Sequence, residues 1–242
     1  VKPITKWCAT CYETKRIPEY LAIAFRQATM GRPGPVFLEL PPDILFVSVD
    51  EKDVKMPVRK TYKSSTHPDE SELKEAARII NSAKMPLYIG GSGVRLSGCE
   101  DVLKTFMEKT GFPFALLNNG RGALPDRHPL SINDGGFTGV MTVAPQADVI
   151  IAVGVRFNWV MQATKLFPDA KVVRIDIEEH EIDRNRTSEV GLVGDCGYIL
   201  DQLIPMVEKR DHSEWITKLR NAYAAFLTTE LEQRKTPSDP IH

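Results

Sequence analysis

The chain has 242 residues, 42% of them hydrophobic, which suffices for a substantial core and favours one domain with pieces of neighbouring domains. Its formal net charge of -1 at pH 7, with basic and acidic residues interspersed, indicates neither nucleic acid nor an anionic membrane as a partner. Since no apolar run reaches membrane-spanning length and the first six residues lack the apolar core of a signal peptide, the sequence predicts a cytoplasmic protein.

The first 45 residues predict one helix and one strand. The helix spans Ile17 to Met30, where apolar residues recur at helical spacing and Gly31 follows as a stop. The strand spans Pro35 to Leu40, a short apolar run between prolines. Because one helix and one strand cannot bury their apolar faces alone, residues 1–45 are predicted to end a domain whose remaining core lies upstream or in a partner. Residues 46–66, which are polar and show no periodicity, are predicted to be a linker.

The four cysteines predict reduced structural thiols. Cys8 and Cys11 form a C-x-x-C pair, whereas Cys99 and Cys196 stand alone in the sequence. Without a second pair, the four ligands of a tetrahedral zinc site are not completed. We therefore predict no metal site in this chain.

A regular alternation of helices and strands follows over residues 67–210. Thr66 and Asp69 give a capping-box pattern before the first helix, and later helical patterns cover residues 98–109 and 198–208. Short apolar runs predict strands at Pro86 to Gly90, Pro113 to Leu117, Asp148 to Val153, Lys171 to Asp176 and Val190 to Val193. This alternation is typical of an α/β fold, and we predict a doubly wound, Rossmann-like parallel sheet of about six strands.

The last part of the chain predicts one long helix, from His212 to Glu230. Its apolar stripe consists of Trp215, Leu219, Ala222 and Phe226. Such a stripe has to be buried against a neighbouring domain or a second subunit, so the helix is also a candidate for dimerisation.

A glycine-rich turn follows the first strand of the predicted sheet. Gly91, Ser92 and Gly93 supply the start of a G-x-G-x-x-G pattern, but Leu96 occupies the third glycine position. Glycines in this place let backbone amides approach a phosphate, and a tight turn from strand to helix needs them equally. The sequence leaves both interpretations open.

Three charged residues stand where other predicted strands end. Arg156 is suited to bind a diphosphate, or to pair with Asp183 or a neighbouring acid. Asp176 is suited to bind ribose hydroxyls, or to cap the segment that starts at Glu178. Asp195 is suited to contact an adenine or ribose, or to act as a simple N-cap. Parallel neighbouring strands would bring these side chains to one edge of the sheet.

Several longer motifs follow one another along the chain, at residues 31–43, 109–113, 120–129, 148–157, 173–177 and 193–195. In sequence and spacing they resemble the end of the pyrimidine-binding domain and the central domain of thiamine-diphosphate-dependent enzymes of the acetolactate synthase and oxalyl-CoA decarboxylase group. The resemblance covers nearly the whole chain. It implies that residues 211–242 are a linker helix toward a cofactor-binding domain.

The resemblance also implies cofactors that this chain is not expected to bind by itself. Such enzymes use thiamine diphosphate and magnesium, held between a domain with a catalytic glutamate and a domain with a Gly-Asp-Gly…Asn-Asn motif. This chain has neither part. Its Gly194-Asp195-Cys196 segment is no substitute for the Gly-Asp-Gly motif, because a cysteine stands where the motif has its second glycine. We assign no catalytic or metal-binding residue to it and predict that it is inactive alone. The family further implies a homo-oligomer, either a dimer or a tetramer.

The central domain of this family resembles a nucleotide site that holds FAD in acetolactate synthases and ADP in oxalyl-CoA decarboxylases. The matching positions are Gly91, Ser92, Gly93, Arg156, Asp176, Ile177 and Asp195. Two departures from the acetolactate synthases, at residues 133–137 and 156–159, put flavin in doubt and favour an adenine nucleotide or a CoA-type ligand.

Two functional hypotheses follow. The first is a fragment of a thiamine-diphosphate-dependent decarboxylase or carboligase that acts on 2-oxo acids, or on 2-hydroxyacyl or oxalyl-CoA substrates. The alternative is a non-catalytic nucleotide-binding module of the kind found in electron-transfer flavoproteins or transhydrogenases.

Overall fold

The computed structural model describes residues 1–58, 66–132, 140–142, 144–158 and 166–235. The chain divides into two compact units, Val1–Ser65 and Thr66–His242. Within the described part of the chain, no helix is long and apolar enough to cross a membrane.

The first unit is built around a two-stranded parallel sheet. Strand β1 (Trp7–Thr10) pairs with β2 (Val36–Glu39), and helix α1 (Ile17–Thr29) connects them. The predicted helix and strand are confirmed to within about a residue at each end. Strand β1 was not predicted, since its four residues are only half-buried and show no alternation. A short helix α2 (Pro42–Leu45) follows the sheet.

The second unit contains a five-stranded parallel sheet. Its strands are β3 (Pro86–Gly90), β4 (Phe114–Leu116), β5 (Val149–Val153), β6 (Lys171–Asp176) and β7 (Val190–Val193), in the spatial order β4-β3-β5-β6-β7. All five coincide with predicted strands. We expected about six, but beyond β4 only an isolated parallel bridge joins Phe114 to Ser131 in the described residues.

Helices cover both faces of this sheet, as a doubly wound fold requires. They are α3 (Glu70–Ser82), α4 (Ser92–Ser97), α5 (Glu100–Thr110), α6 (Cys196–Leu203) and α7 (Ser213–Lys235). Successive strand residues point to opposite faces. Ile151 and Val173 pack in one core cluster with α3, α5 and α6, whereas Ile150 and Val172 pack in the other with Trp215 of α7.

Helix boundaries differ from the prediction in α3, α6 and α7, and α7 ends at Lys235 and not at Glu230. The capping box of α3 uses Asp69 and Glu72, not Thr66 and Asp69, because Glu72 Oε2 accepts the Asp69 amide at 3.2 Å. Helix α6 starts two residues earlier than expected, since Asp195 caps it, and ends five residues earlier. A 3₁₀ turn that contains Pro205 follows it, because proline cannot continue an α-helical ladder.

Candidate functional site

All seven candidate residues lie at one edge of the five-stranded sheet. Gly91, Ser92 and Gly93 follow β3, and Arg156 follows the turn after β5. Asp176 ends β6, Ile177 comes next, and Asp195 stands between β7 and α6. The strands are parallel, so these positions share the carboxyl edge, where open α/β sheets bind ligands. From β3 the chain first adds β4 on one side and then crosses to add β5 on the other side. The crevice between β3 and β5, where the direction reverses, is the topological switch point of the sheet, and Gly91 lies beside it.

At the switch point, the glycines bring two backbone segments into direct contact. A side-chain Cβ on Gly91 would come within 2.4 Å of the Gly154 carbonyl oxygen, and one on Gly93 within 2.7 Å of Gly154 Cα. Gly154 itself adopts a φ of +54°. A larger residue at Gly91 or Gly93 would push the two turns apart.

The amides of this glycine turn are already used inside the protein. The Gly91 amide donates to the Val153 carbonyl at 2.9 Å, and the Gly93 amide donates to the Gly154 carbonyl at 3.1 Å. Turn geometry therefore accounts for both glycines, and neither amide is available to a phosphate in this conformation. The side chain of Ser92 is exposed beside them.

Arg156 lies next to a buried carboxylate. Its side chain is 55% exposed, and its Nε lies 3.7 Å from Glu181 Oε1. The predicted pairing with a neighbouring acid is thus observed, but with Glu181 and not with Asp183. Arg184 approaches the same oxygen more closely, at 2.9 Å. Arg156 is held less tightly by Glu181 than Arg184 is, and most of its side chain faces solvent.

Arg174, which the sequence analysis did not single out, supports the segment that carries Arg156. It is fully buried in β6, and its guanidinium stands 4.2 Å from the centre of the Phe157 ring. It donates to the Val155 carbonyl at 3.4 Å and to the Arg184 carbonyl at 3.1 Å. Burial lowers the pKa of Arg174, while the nearby carboxylates of Asp176 and Glu181 oppose that shift. An arginine inside an otherwise apolar strand was the available signal in the sequence.

The two aspartates of the edge both make local backbone contacts. Asp176 is buried, and its Oδ1 accepts the Glu178 amide at 3.1 Å. It does not cap the helical turn that follows, because the N-cap residue of that turn (Glu179–Glu181) is Glu178 and no side-chain hydrogen bond caps it. Asp195 Oδ1 accepts the Tyr198 amide at 3.1 Å and the Ser97 hydroxyl at 2.9 Å, which confirms the N-cap. Ile177, which follows Asp176, is half-buried. Contacts of either aspartate with a ribose stay a prediction.

The cysteines differ from expectation in one respect. Cys99 and Cys196, which stand alone in the sequence, lie with their sulfur atoms 3.6 Å apart. All four cysteines are free thiols. Among the described residues, no group of three or more His, Cys, Asp or Glu side chains could hold a metal ion. Residues 133–137 and Trp159, where the sequence departs from acetolactate synthases, lie outside the described part.

Comparisons with known proteins agree with the architecture of the second unit. A family model for the central domain of thiamine pyrophosphate enzymes matches residues 73–203. A solved structure assigned to a thiamin diphosphate-dependent enzyme of Mycobacterium smegmatis has a TM-score of 0.67 and 24% sequence identity. It covers 87% of this chain and 41% of that chain, and at this identity it supports the fold alone.

Curated relatives extend the match beyond the second unit. The large subunit of acetolactate synthase isozyme 1 of Escherichia coli (strain K12) is 31% identical over 219 residues, which cover 88% of this chain and 38% of that subunit. The acetolactate synthase large subunit of Mycobacterium tuberculosis is 34% identical over 214 residues, which cover 85% of this chain and 34% of that subunit. The chain therefore spans less than half the length of these relatives.

Proposed function

Because the chain belongs to the thiamine pyrophosphate enzyme family, whose central domain it contains, we propose that its parent protein is an acetolactate-synthase-like decarboxylase and carboligase of 2-oxo acids. The observation that carries the proposal is the family match over residues 73–203, together with relatives that are acetolactate synthases. These relatives favour 2-oxo acids over the acyl-CoA substrates that residues 156–159 suggested. The same match does not favour the alternative of an electron-transfer-flavoprotein or transhydrogenase module.

Thiamine diphosphate, when bound, supplies the electron sink for this class of reaction. Among the described residues of this chain, no cluster of His, Cys, Asp or Glu side chains could hold the accompanying magnesium. We therefore expect these cofactors to bind other parts of the parent protein. This chain would help to position the thiamine diphosphate bound elsewhere and would hold a second ligand site.

That second site, in our proposal, is the carboxyl edge of the five-stranded sheet, which would bind the nucleotide part of FAD or ADP. The position at the switch point and the exposed guanidinium of Arg156 support it. Ser92 would add a hydroxyl, and Asp176, Ile177 and Asp195 would line the ribose or adenine side. Gly91 and Gly93 would shape the turn by packing on Gly154 and would not supply amide donors, since their amides are occupied.

Thermal unfolding with added ligands tests the nucleotide site. A ligand at about a hundredfold its dissociation constant adds about 2.7 kcal/mol, which raises the midpoint by roughly 5 to 10 °C in a chain of this size. We expect this shift with FAD or ADP and none with thiamine diphosphate plus magnesium. Stabilisation by CoA together with ADP would instead favour 2-hydroxyacyl-CoA or oxalyl-CoA substrates for the parent protein. No shift with FAD or ADP would refute the nucleotide site.

A matched pair of arginine variants locates the site. Arg156→Gln and Arg184→Gln both remove a half-exposed guanidinium beside Glu181. Of the two, only Arg156 is among the positions assigned to the proposed site. The ligand-induced shift should shrink in Arg156→Gln and persist in Arg184→Gln. Equal shifts in both variants would contradict the assignment of Arg156.

The full-length parent protein tests the reaction. Release of carbon dioxide is measured from a panel of 2-oxo acids and, separately, from acyl-CoA substrates, with thiamine diphosphate and magnesium present. Turnover of two 2-oxo acids, with loss of one carbon dioxide and formation of a longer 2-hydroxy-3-oxo acid, is the expected result. Turnover of acyl-CoA substrates alone would overturn the acetolactate-synthase-like proposal.

A further inference from the structure

Two cysteines that are almost a hundred residues apart in the sequence meet beside the carboxyl edge of the sheet. Cys99 stands at the N-cap of α5, and Cys196 is the first residue of α6. Their sulfur atoms are 3.6 Å apart, and each residue is 5% exposed. Neither the proposed reaction nor the proposed nucleotide site uses these thiols.

The surrounding backbone holds both thiols in place. Cys99 Sγ lies 3.5 Å from the Val94 carbonyl, and Cys196 Sγ lies 3.6 Å from the Gly93 carbonyl. Gly197 packs so closely on Cys99 that a Cβ on Gly197 would come within 2.7 Å of Cys99 Cβ. No bulky side chain separates α6 from Cys99, so the two sulfur atoms face each other directly.

A small movement converts this contact into a covalent bond. A disulfide requires sulfur atoms about 2.05 Å apart, so the two thiols need to approach by about 1.5 Å. Gly98, with a φ of +66°, precedes Cys99 directly and gives its backbone the freedom of a turn. The described residues offer no third ligand that would make a metal site of the pair.

The two thiols differ in reactivity. The hydrogen bond between the two thiols is the main cause that lowers the pKa of Cys99, and the Ser97 hydroxyl contributes in the same direction. The same hydrogen bond, followed by burial, raises the pKa of Cys196. Cys99 is therefore the better nucleophile, because the thiolate is the reactive form, and Cys196 is the resolving thiol.

We propose that Cys99 and Cys196 are a modification site that forms a reversible intrachain disulfide on exposure to a peroxide. The Cys99 thiolate attacks one peroxide oxygen, the O–O bond breaks, and Cys99 becomes a sulfenic acid as hydroxide leaves and takes up a proton to form water. The sulfur of Cys196 then attacks Cys99 sulfur, the S–O bond breaks, and the departing hydroxide takes the Cys196 proton as a second water. The two thiols lose two electrons, which the peroxide gains.

The disulfide would tie the start of α5 to the start of α6. Closing a loop of about a hundred residues restricts the unfolded chain strongly, so the oxidised protein should unfold at a midpoint roughly 10 to 20 °C higher. The cross-link would lie next to Gly93 and Asp195 and would limit how far the β3–α4 turn and the β7–α6 turn can separate. This inference does not depend on the proposed nucleotide site.

Peroxide treatment of the folded full chain tests the proposal. After treatment, free thiols are alkylated under denaturing conditions, and peptide mapping without reduction identifies the linked cysteines. The expected result is a Cys99–Cys196 peptide, the loss of two hydrogen atoms from the intact mass, a raised unfolding midpoint and reversal of all three by dithiothreitol. The map separates this link from one between Cys8 and Cys11.

Two conservative variants serve as controls. Cys99→Ser and Cys196→Ser should each lose the cross-linked peptide and the peroxide-induced rise of the midpoint, while the reduced proteins stay folded. The proposal is overturned if both thiols remain alkylatable after treatment, if they are found only as sulfinic acids, or if the link forms only in denatured protein. Persistence of the rise in either variant would also overturn it.

Discussion

The two units of this chain use the same elements, parallel strands and helices, with very different degrees of burial. In the first unit only Cys11 and Ala24 are buried among the described residues, and Phe25 and Phe46 are 72% and 86% exposed. In the second unit every residue of β3, β4 and β5 is buried, and apolar clusters fill both faces of the sheet. A parallel sheet is stable when both its faces are covered, which the second unit alone achieves.

The difference indicates that the second unit supplies most of the chain's folding stability. A two-stranded sheet with one helix lacks the buried area that offsets the entropy of ordering the chain. Large apolar side chains, among them Phe25 and Phe46, remain exposed in the first unit. The following four comparisons are expected to show progressively smaller effects, and each contrasts the two units or a buried group with an exposed one.

The largest effect should come from truncating a buried phenylalanine. Phe106 in α5 is fully buried, whereas Phe25 in α1 is 72% exposed. Phe106→Ala should lower the free energy of unfolding of the second unit by about 3 to 5 kcal/mol. Phe25→Ala, the matched helical control, should change stability by no more than about 0.5 kcal/mol. Hydrogen–deuterium exchange with mass spectrometry measures the unfolding free energy of both units in one sample. Equal losses of stability in the two variants would contradict the predicted difference between the units.

A glycine pair gives the next largest effect. Gly154 and Gly31 both have φ near +55° to +60°, but only Gly154 is crowded, with its hypothetical Cβ 2.5 Å from Gly93 Cα. Gly154→Ala combines backbone strain with a clash and should cost about 3 kcal/mol. Gly31→Ala meets no atom within 4 Å and should cost about 1 kcal/mol. Local unfolding free energies from the same exchange measurement decide the comparison.

Buried and exposed arginines form the third pair. Arg174→Met removes the hydrogen bonds to the Val155 and Arg184 carbonyls and should destabilise the second unit by about 1 to 3 kcal/mol. Exchange protection should fall first in residues 155–157. Arg16→Met, at the residue before α1, breaks a salt bridge with Glu19 between two half-exposed side chains and should cause no measurable change. A stable Arg174→Met variant with unchanged protection would show that this arginine does not support the segment.

The smallest effect is a pH dependence confined to the second unit, since the first unit contains no histidine. Burial, reinforced by the charge of Arg210, lowers the pKa of His212 in the folded state. The unfolded chain therefore takes up a proton first, near its ordinary pKa of about 6.5, and the folded state loses stability as pH falls below that value. The loss levels off once folded His212 is also protonated.

Urea denaturation at several pH values between 7.5 and 5 measures this dependence. His212→Gln should flatten the slope, because the titrating group is gone. His180→Gln, at a side chain that is 63% exposed, is the control and should leave the slope intact. A slope that survives in His212→Gln would assign the dependence to other groups.

Sequence patterns predicted those parts of the fold that depend on local composition. The run from Val149 to Val153 identified a central strand because burial on both faces demands continuous apolar residues. Asp195 was predicted as an N-cap for the same local reason. Strand β1 was missed, because half-buried residues leave no periodic signal in four positions.

The site was predicted as a set of positions but not as a set of contacts. Parallel strands brought Arg156 and Asp176 to one edge, as expected from topology. Which acid pairs with Arg156, and the meeting of Cys99 with Cys196, depend on distant segments that no local pattern specifies. The packing of Gly91 and Gly93 against Gly154 likewise became visible only with the turns in place.

The strand order has a consequence for how the second unit assembles. Strand β3 pairs with β4 and β6 with β7 across short stretches of chain, but Pro86 of β3 meets Val149 of β5 about 60 residues later. Closing this longer loop costs roughly 1 kcal/mol more than closing a loop of about 20 residues. The two halves of the sheet should therefore form before they join, with the β3–β5 seam closing last in the folding reaction. During synthesis on the ribosome, the edge of β3 that pairs with β5 would stay unpaired until β5 has been synthesised.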